Sequence, residues 1–249
     1  MTNVRGDEFG KRVGEYIAGR PEYPHELLEA LPTAGADLIV DLGAGTGKFT
    51  NLLAHAGSRI VAVEPDAHMA ARVRRGQRHP ITVVCALAEH LPLAKATADL
   101  ICCATAFHWF DYPKSTAEIY RLLKPGRCLA LIWNVRDDRV GWVARVSRLL
   151  DRYAGTTPRH SSGKWRVIFD DRRFSCVSQS AYPFTQPMPV TGIRDRVLST
   201  SFIAALPTEP QTRVCAEVEE VIGSDDALRT DQMIMFPYVS ELYLFRRIP

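Results

Sequence analysis

Leu38-Ile39-Val40-Asp41-Leu42-Gly43-Ala44-Gly45-Thr46-Gly47 is the stretch whose reading decides the fold. An apolar run leads into glycines at alternate positions, and Phe49, Leu52, Leu53 and Ala56 then recur at helical spacing. The order is strand, glycine turn, helix. Glycine has no Cβ, so the turn can be tight and a bound molecule can approach its backbone closely. The start of the following helix offers N–H groups and a partial positive charge. A polar, nucleotide-like ligand is the expected occupant.

Upstream, residues 9–24 read as a helix ending in Tyr16-Ile17-Ala18-Gly19-Arg20-Pro21-Glu22-Tyr23-Pro24. Each proline holds the residue before it extended, and Pro24 suits the first turn of a helix over 25–31. Downstream, a helix over 48–56 closes at Gly57. A strand over 59–64 stops at Pro65, and Asp66 caps the next helix, with Met69, Ala70 and Val73 turned inward. Strands over 81–85 and 98–103, a helix over 115–123 and a strand over 128–133 follow. The strands are continuous apolar runs separated by helices, as in a parallel sheet covered on both faces. The expected fold is α/β: a Rossmann-like, doubly wound sheet of about seven strands with helices on both faces, binding its ligand beyond the carboxyl ends of the strands. Asp41, Glu64, Glu89 and His108 all fall at or just past strand ends.

The second half is less regular. A helix is expected over 140–153, strand six over 174–184, helices over 190–206 and 210–222, and a last strand over 233–246 broken at Pro237. The organisation expected is an N-terminal lid (1–35), a ligand-binding core (36–135) and the end of the sheet with an inserted helical cap (136–249), in one structural domain. Substrate choice should lie in the lid and the inserted helices, because variable loops on a fixed scaffold carry specificity.

Composition bounds the function. The 249 residues are 46% hydrophobic and 24% charged, enough for a full core. A net charge of +3 is too mild for a nucleic-acid surface. The polar start, residues 1–11, lacks the apolar centre of a secretory leader, and no run approaches the ~20 apolar residues of a membrane span. A cytoplasmic protein, monomeric or homodimeric and free of membrane partners, is expected. The six cysteines form no CxxC pair. Cys85, Cys102, Cys103 and Cys128 sit in apolar runs and are expected to be buried and reduced. No metal site is expected.

Counting residues narrows the ligand. A Walker loop needs G-x-x-x-x-G-K-[ST], but Leu42 stands where its first glycine belongs and Phe49 where Ser or Thr belongs. The dinucleotide fingerprint G-x-G-x-x-G counted from Gly43 puts Lys48 at its third glycine. What is left is an acidic residue before G-x-G-x-G and a second acidic residue, Glu64, at the end of strand two. The run from Val40 to Gly47 resembles the first motif of class I S-adenosylmethionine-dependent methyltransferases, and Val61-Ala62-Val63-Glu64-Pro65-Asp66 resembles the second. Cys85 to Pro92 and Arg121 to Arg127 look like the later ones. Tyr16 to Pro24 and Phe107-His108-Trp109-Phe110-Asp111 look like the small-molecule subgroup containing trans-aconitate methyltransferase-like enzymes.

The resemblance implies an antiparallel last strand at the sheet edge and S-adenosyl-L-methionine as cofactor, leaving as S-adenosyl-L-homocysteine. It also implies that Asp41, Gly43, Ala44, Gly45, Gly47, Glu64 and Pro65 hold the cofactor from the first two strands. Glu64 suits the ribose hydroxyls, because a carboxylate accepts several hydrogen bonds. Asp41 would face the ammonium group, directly or through water. By the same resemblance Ala88 and Glu89 flank the adenine, and Thr105 and Ala106 pass near the methionine portion. Arg20, with Tyr16 beside it, holds the carboxylate in the bidentate manner of guanidinium. Tyr23, His108, Trp109 and Trp133 are the expected substrate-pocket residues, and His108 is the candidate general base. The acceptor is a small molecule offering a carboxylate or hydroxyl oxygen. A nucleic-acid methyltransferase and a non-catalytic S-adenosylmethionine-binding protein are the alternatives. The nucleic-acid reading expects an Asn/Asp-Pro-Pro-aromatic motif after strand four, where this chain has Thr105-Ala106-Phe107-His108.

Overall fold

A computed structural model of the protein describes residues 19–73, 81–225, 228 and 233–249. Tyr16 lies outside the described residues. In chain order the sheet strands are β1 (Leu38–Leu42), β2 (Arg59–Val63), β3 (Ile81–Val84), β4 (Ala98–Ala104), β5 (Leu123–Arg136), β6 (Phe174–Met188) and β7 (Ile234–Arg247). The helices are α1 (Glu26–Ala30), α2 (Lys48–Leu53), α3 (Ala67–Ala70), α4 (Tyr112–Leu122), α5 (Gly141–Asp151), α6 (Gly192–Leu198), α7 (Ser201–Ala204) and α8 (Thr208–Gly223).

The strands form one sheet in the order β3-β2-β1-β4-β5-β7-β6. The pairings β1–β2, β1–β4, β2–β3 and β4–β5 are parallel, and β7 is antiparallel. The doubly wound α/β fold read from the apolar runs is therefore present. β4 is buried along all but its last residue, and β1 and β2 along all but their first. β7 alternates between buried and half-exposed positions over most of its length, as a strand covered on one face does.

Four expectations need correction. The antiparallel last strand is not at the edge: β7 inserts between β5 and β6, leaving β3 and β6 as the edges. β7 also runs through Pro237 without a break. The helix expected over 48–56 is α-helical only to Leu53 and finishes as a 3₁₀ turn over Ala54–Ala56, before Gly57 at φ 81°. Cys85 is exposed rather than buried, because it follows the last residue of edge strand β3; Cys102, Cys103 and Cys128 are buried as expected.

The chain divides into two compact units. One comprises Tyr23–Asn134, Pro158–Tyr182 and Ser240–Pro249 and contains the glycine turn. Its core packs Leu27, Ile39, Phe49, Leu53, Ile60 and Leu100, each worth about 1.5–3 kcal/mol when fully buried. Asp99 joins three strands of this unit. Its carboxylate accepts from the N–H groups of Asp37 and Leu38 at 3.0 and 3.2 Å, and Lys124 Nζ lies 2.9 Å from both oxygens. Burial pushes the Asp99 carboxyl upward, but Lys124 and the two N–H groups outweigh it and hold the group below its ordinary value. The other unit comprises, among the described residues, 19–22, Val135–Thr157, 183–225, 228 and 233–239. Its core is built from one face of α5 (Val143, Val146, Leu150), with Ile203, Val214, Val218 and Tyr238.

Candidate active site

The strand order reverses at β1, which has β2 on one side and β4 on the other. In an open α/β sheet this places the ligand crevice beyond the carboxyl ends of those two strands. Asp41 of β1 stands level with Cys102 of β4, so the glycine turn and residues 105–110 leave the sheet side by side.

The turn is fixed by its own hydrogen bonds. Gly43 and Ala44 both donate to the Val63 carbonyl, at 2.9 and 3.0 Å, and Gly47 donates to Ala44 at 2.9 Å. Gly45 donates to Glu64 Oε2 at 2.8 Å. Four of the turn's backbone donors are thus used internally. Gly43 has φ 78°, and a Cβ there would overlap the Cβ of Ala106 and lie 3.4 Å from Phe110 Cζ. The first glycine is therefore required by the loop after β4. Gly47 has φ 88°, and a Cβ on it would press on Val73 at 3.2 Å.

Three carboxyls, those of Asp41, Glu64 and Asp66, are buried beside the turn. Glu64 is 7% exposed; besides Gly45 it accepts from the Asp66 N–H at 3.0 Å. Burial pushes its carboxyl above the ordinary value, although both backbone bonds oppose the shift. Asp66 caps α3, accepting from the N–H groups of His68 and Met69. Asp41 is fully buried. Its Oδ2 accepts from Thr50 Oγ1 at 2.6 Å, while its Oδ1 is buried with no hydrogen-bond partner. Burial raises the Asp41 pKa to about 7, with Thr50 opposing and the charge of Glu64 adding to the rise. A buried carboxylate oxygen with no donor is costly, and a cationic ligand group is the chemistry that would relieve it. A sulfonium-and-ammonium ligand without phosphate, carrying ribose hydroxyls, fits these residues.

The remaining expected residues of this unit lie as follows. Pro65 is exposed and Ala88 is buried. Glu89 accepts from the Asp111 N–H at 2.8 Å, joining the loop after β3 to the start of α4. Thr105 has φ 54°, a left-handed conformation uncommon for a β-branched residue and often found at functional sites. It is held there by its N–H on the Ile132 carbonyl at 2.7 Å and by a 3.0 Å hydrogen bond between its hydroxyl and that of Tyr23. Ala106 is buried against Gly43. His108 and Trp109 belong to a 3₁₀ turn over Phe107–Trp109. Trp133 is 1% exposed, so it meets its neighbours from behind, through its indole N–H on His108 Nδ1 at 3.0 Å. Arg20 is half-buried and belongs to the other unit.

Sequence reasoning missed three features. Thr50, the partner of Asp41, carried no signal beyond its place one turn into α2. The double use of the Val63 carbonyl is a backbone property. The ring cluster behind Trp133, formed by His160, Trp165 and Tyr243, comes from far along the chain at no recognisable spacing. Among the described residues no group of His, Cys, Asp or Glu is arranged to hold a metal ion, and no helix is long and apolar enough to cross a membrane.

Residues 40–131 match the family described as Methyltransferase domain. A methyltransferase-like protein of Schizosaccharomyces pombe is 33% identical over 247 residues, covering 97% of this chain and 96% of the relative. A dimethylglycine N-methyltransferase of Parasynechococcus marenigrum is 42% identical over 134 residues, 51% of this chain and 47% of that one. A type II methyltransferase structure from Anaeromyxobacter dehalogenans has the same fold, with a TM-score of 0.71 at 22% identity over 92% of this chain and 99% of that one. The full-length likeness, the strand order and the acidic glycine turn agree: the chain belongs to the class I S-adenosylmethionine-dependent methyltransferase family.

Proposed function

We propose that the protein moves a methyl group from S-adenosylmethionine to an oxygen of a small, acidic molecule, as in the subgroup similar to trans-aconitate methyltransferase-like enzymes. The observation that carries the cofactor half is the turn itself: four of its N–H groups are spent on Val63, Ala44 and Glu64, and Asp41 and Glu64 are buried carboxyls beside it. That environment suits a cationic ligand without phosphate. In this reading Glu64 accepts from the ribose hydroxyls, Asp41 Oδ1 answers the ammonium group, Ala88 and Glu89 flank the adenine, and Thr105 and Ala106 adjoin the methionine chain. When bound, S-adenosylmethionine supplies a methyl carbon already activated by sulfonium. The protein's contribution is then alignment and exclusion of water.

Two features support a small acidic acceptor. One relative that matches half of this chain is named for a small-molecule substrate, dimethylglycine. In the unit that holds α5, Arg136 Nε donates to Ser147 Oγ at 2.8 Å. Burial, and then the charge of Arg196, lower the Arg136 pKa to about 10. A guanidinium such as that of Arg136 suits a carboxylate.

The test is transfer of labelled methyl from S-adenosylmethionine to extracted small metabolites and, separately, to RNA. Label in the acidic metabolite fraction is expected. Label in RNA, or cofactor binding with no transfer, would overturn the acceptor assignment. Equal binding of S-adenosylhomocysteine by wild type and Glu64→Ala in calorimetry would overturn the cofactor assignment.

A further inference from the structure

Trp133 fixes the state of the histidine beside it. An indole N–H can only donate. At 3.0 Å from His108 Nδ1, it requires that nitrogen to carry a lone pair. A neutral imidazole with a bare Nδ1 has its proton on Nε2. Taking up a second proton at Nδ1 would set N–H against N–H and strand a buried indole donor, which is strongly disfavoured.

The indole is not free to turn away. Its ring packs on Trp165 with centroids 4.4 Å apart and on His160 at 4.8 Å, and Tyr243 meets it edge-on at 6.0 Å. The cluster is itself pinned. Trp165 Nε1 donates to the His160 carbonyl at 3.1 Å, and Tyr243 donates to Glu241 Oε2 at 2.7 Å. His160 Nε2 lies 3.2 Å from the same Glu241 oxygen. Arg166 covers Trp165 and Phe169 from 5.2 and 5.0 Å. These rings leave the indole N–H one direction, toward His108.

We infer that Trp133 is a positioning residue that holds His108 as the neutral Nε2–H tautomer, so that His108 serves the reaction as a hydrogen-bond donor and not as a general base. A base acting through Nε2 needs that nitrogen bare, which is the tautomer the Trp133 bond excludes. The inference rests on the expectation from the sequence that His108 lines the substrate pocket and on the proposed oxygen acceptor, and it deepens that reading: the acceptor oxygen arrives already ionised. The step then balances without proton transfer. The carboxylate lone pair forms the bond to the methyl carbon and the sulfur–methyl pair returns to sulfur. The positive and negative charges vanish together, leaving a methyl ester and a thioether. An Nε2–H donor suits one carboxylate oxygen while the other reacts. The charged and titratable groups on the Trp133 side are His160, Glu241, Tyr243 and Arg166. On His108's own turn and its neighbours, Asp111 and Glu89 are the groups among the described residues.

Two measurements test this. Nitrogen-15 spectra of imidazole-labelled protein at neutral pH should show His108 as a single Nε2–H tautomer. Trp133→Phe, which keeps the ring packing and loses the donor, should show a mixture. A wild-type spectrum with Nδ1 protonated overturns the inference whether or not the acceptor is known. The second is single-turnover transfer to the acidic fraction across pH. His108→Gln, which restores an amide N–H at the reach of Nε2, should keep the rate within about tenfold of wild type, while His108→Ala falls further. Equal loss in Gln and Ala, with a wild-type rate rising tenfold per pH unit on its acid limb, would establish the base role and end the proposal. An Ala variant as fast as wild type would remove His108 from the chemistry altogether. Failure of the acceptor assignment alone would appear as no transfer by any variant, with the single tautomer intact.

Discussion

If the partnerless oxygen of Asp41 receives the ammonium group of the cofactor, binding must expel a proton. Without ligand the carboxyl has a pKa of about 7, so at pH 6 about nine molecules in ten carry the proton. An ammonium group beside Oδ1 favours the ionised form. Calorimetry with S-adenosylhomocysteine, which binds without reacting, in buffers of different ionisation enthalpy should register about 0.9 proton released at pH 6 and about 0.5 at pH 7. The apparent Kd scales as one plus ten to the power of pKa minus pH. Affinity should therefore fall about sixteenfold from pH 7 to pH 5.5, or about 1.6 kcal/mol. The range stops at pH 7 because an α-amino group begins to lose its own proton near pH 8. Glu64 also titrates high and senses the same site, so Asp41→Asn isolates the effect. Asparagine still accepts from Thr50, and it should bind more weakly, with most of the proton release gone. Wild-type affinity flat within twofold over this range, or undiminished release in the Asn variant, would refute the placement of the ammonium group at Asp41.

The same buried carboxyl sets a stability profile. Its folded pKa is raised, so its contribution is fully present below pH 3.8, the ordinary value, and is lost as pH rises to about 7. Urea unfolding at pH 8 against pH 4 should show that Asp41→Asn removes a loss of about 4 kcal/mol. Gly43→Ala meets Ala106 and a φ of 78°; it should cost about 2–4 kcal/mol in chemical denaturation, and adding Ala106→Gly should recover part of that. Asp99→Ala strands the Asp37 and Leu38 N–H groups and the Lys124 charge, for a loss of about 3 kcal/mol at pH 7. Because the Asp99 pKa is lowered, its contribution is present above the ordinary carboxyl value and fades as pH falls through the depressed one. The variant's deficit should shrink in acid, and a deficit constant with pH would contradict the assignment.

Much of the candidate site could be proposed from the sequence because the family's chemistry is written in short, local stretches. Asp41 to Gly47 and Glu64 each sit at the end of a buried parallel strand, and strand ends can be read from apolar runs and their glycine or proline stops. The loop after β4 was legible as Thr105 to Trp109, but the conformation of Thr105 was not. Its positive φ is imposed by Ile132 and Tyr23, residues with no sequence relation to it. The α-helix after the turn proved to be six residues long, which weakens the helix-dipole argument for the turn and leaves the acidic side chains as its main chemistry.

By itself the sequence determined the doubly wound class, the switch-point location and the identity of the acidic glycine turn, since periodicity and local spacing suffice for elements packed next to their chain neighbours. Tertiary structure alone decided the rest. It put β7 inside the sheet rather than at its edge, because antiparallel insertion depends on pairing across more than a hundred residues. It showed that Gly43 answers Ala106, and that four of the turn's N–H groups are already used. It also brought Trp133, His160, Trp165 and Tyr243 together behind His108, where ring packing aims one indole N–H at one imidazole nitrogen and so sets a protonation state that no spacing in the chain encodes.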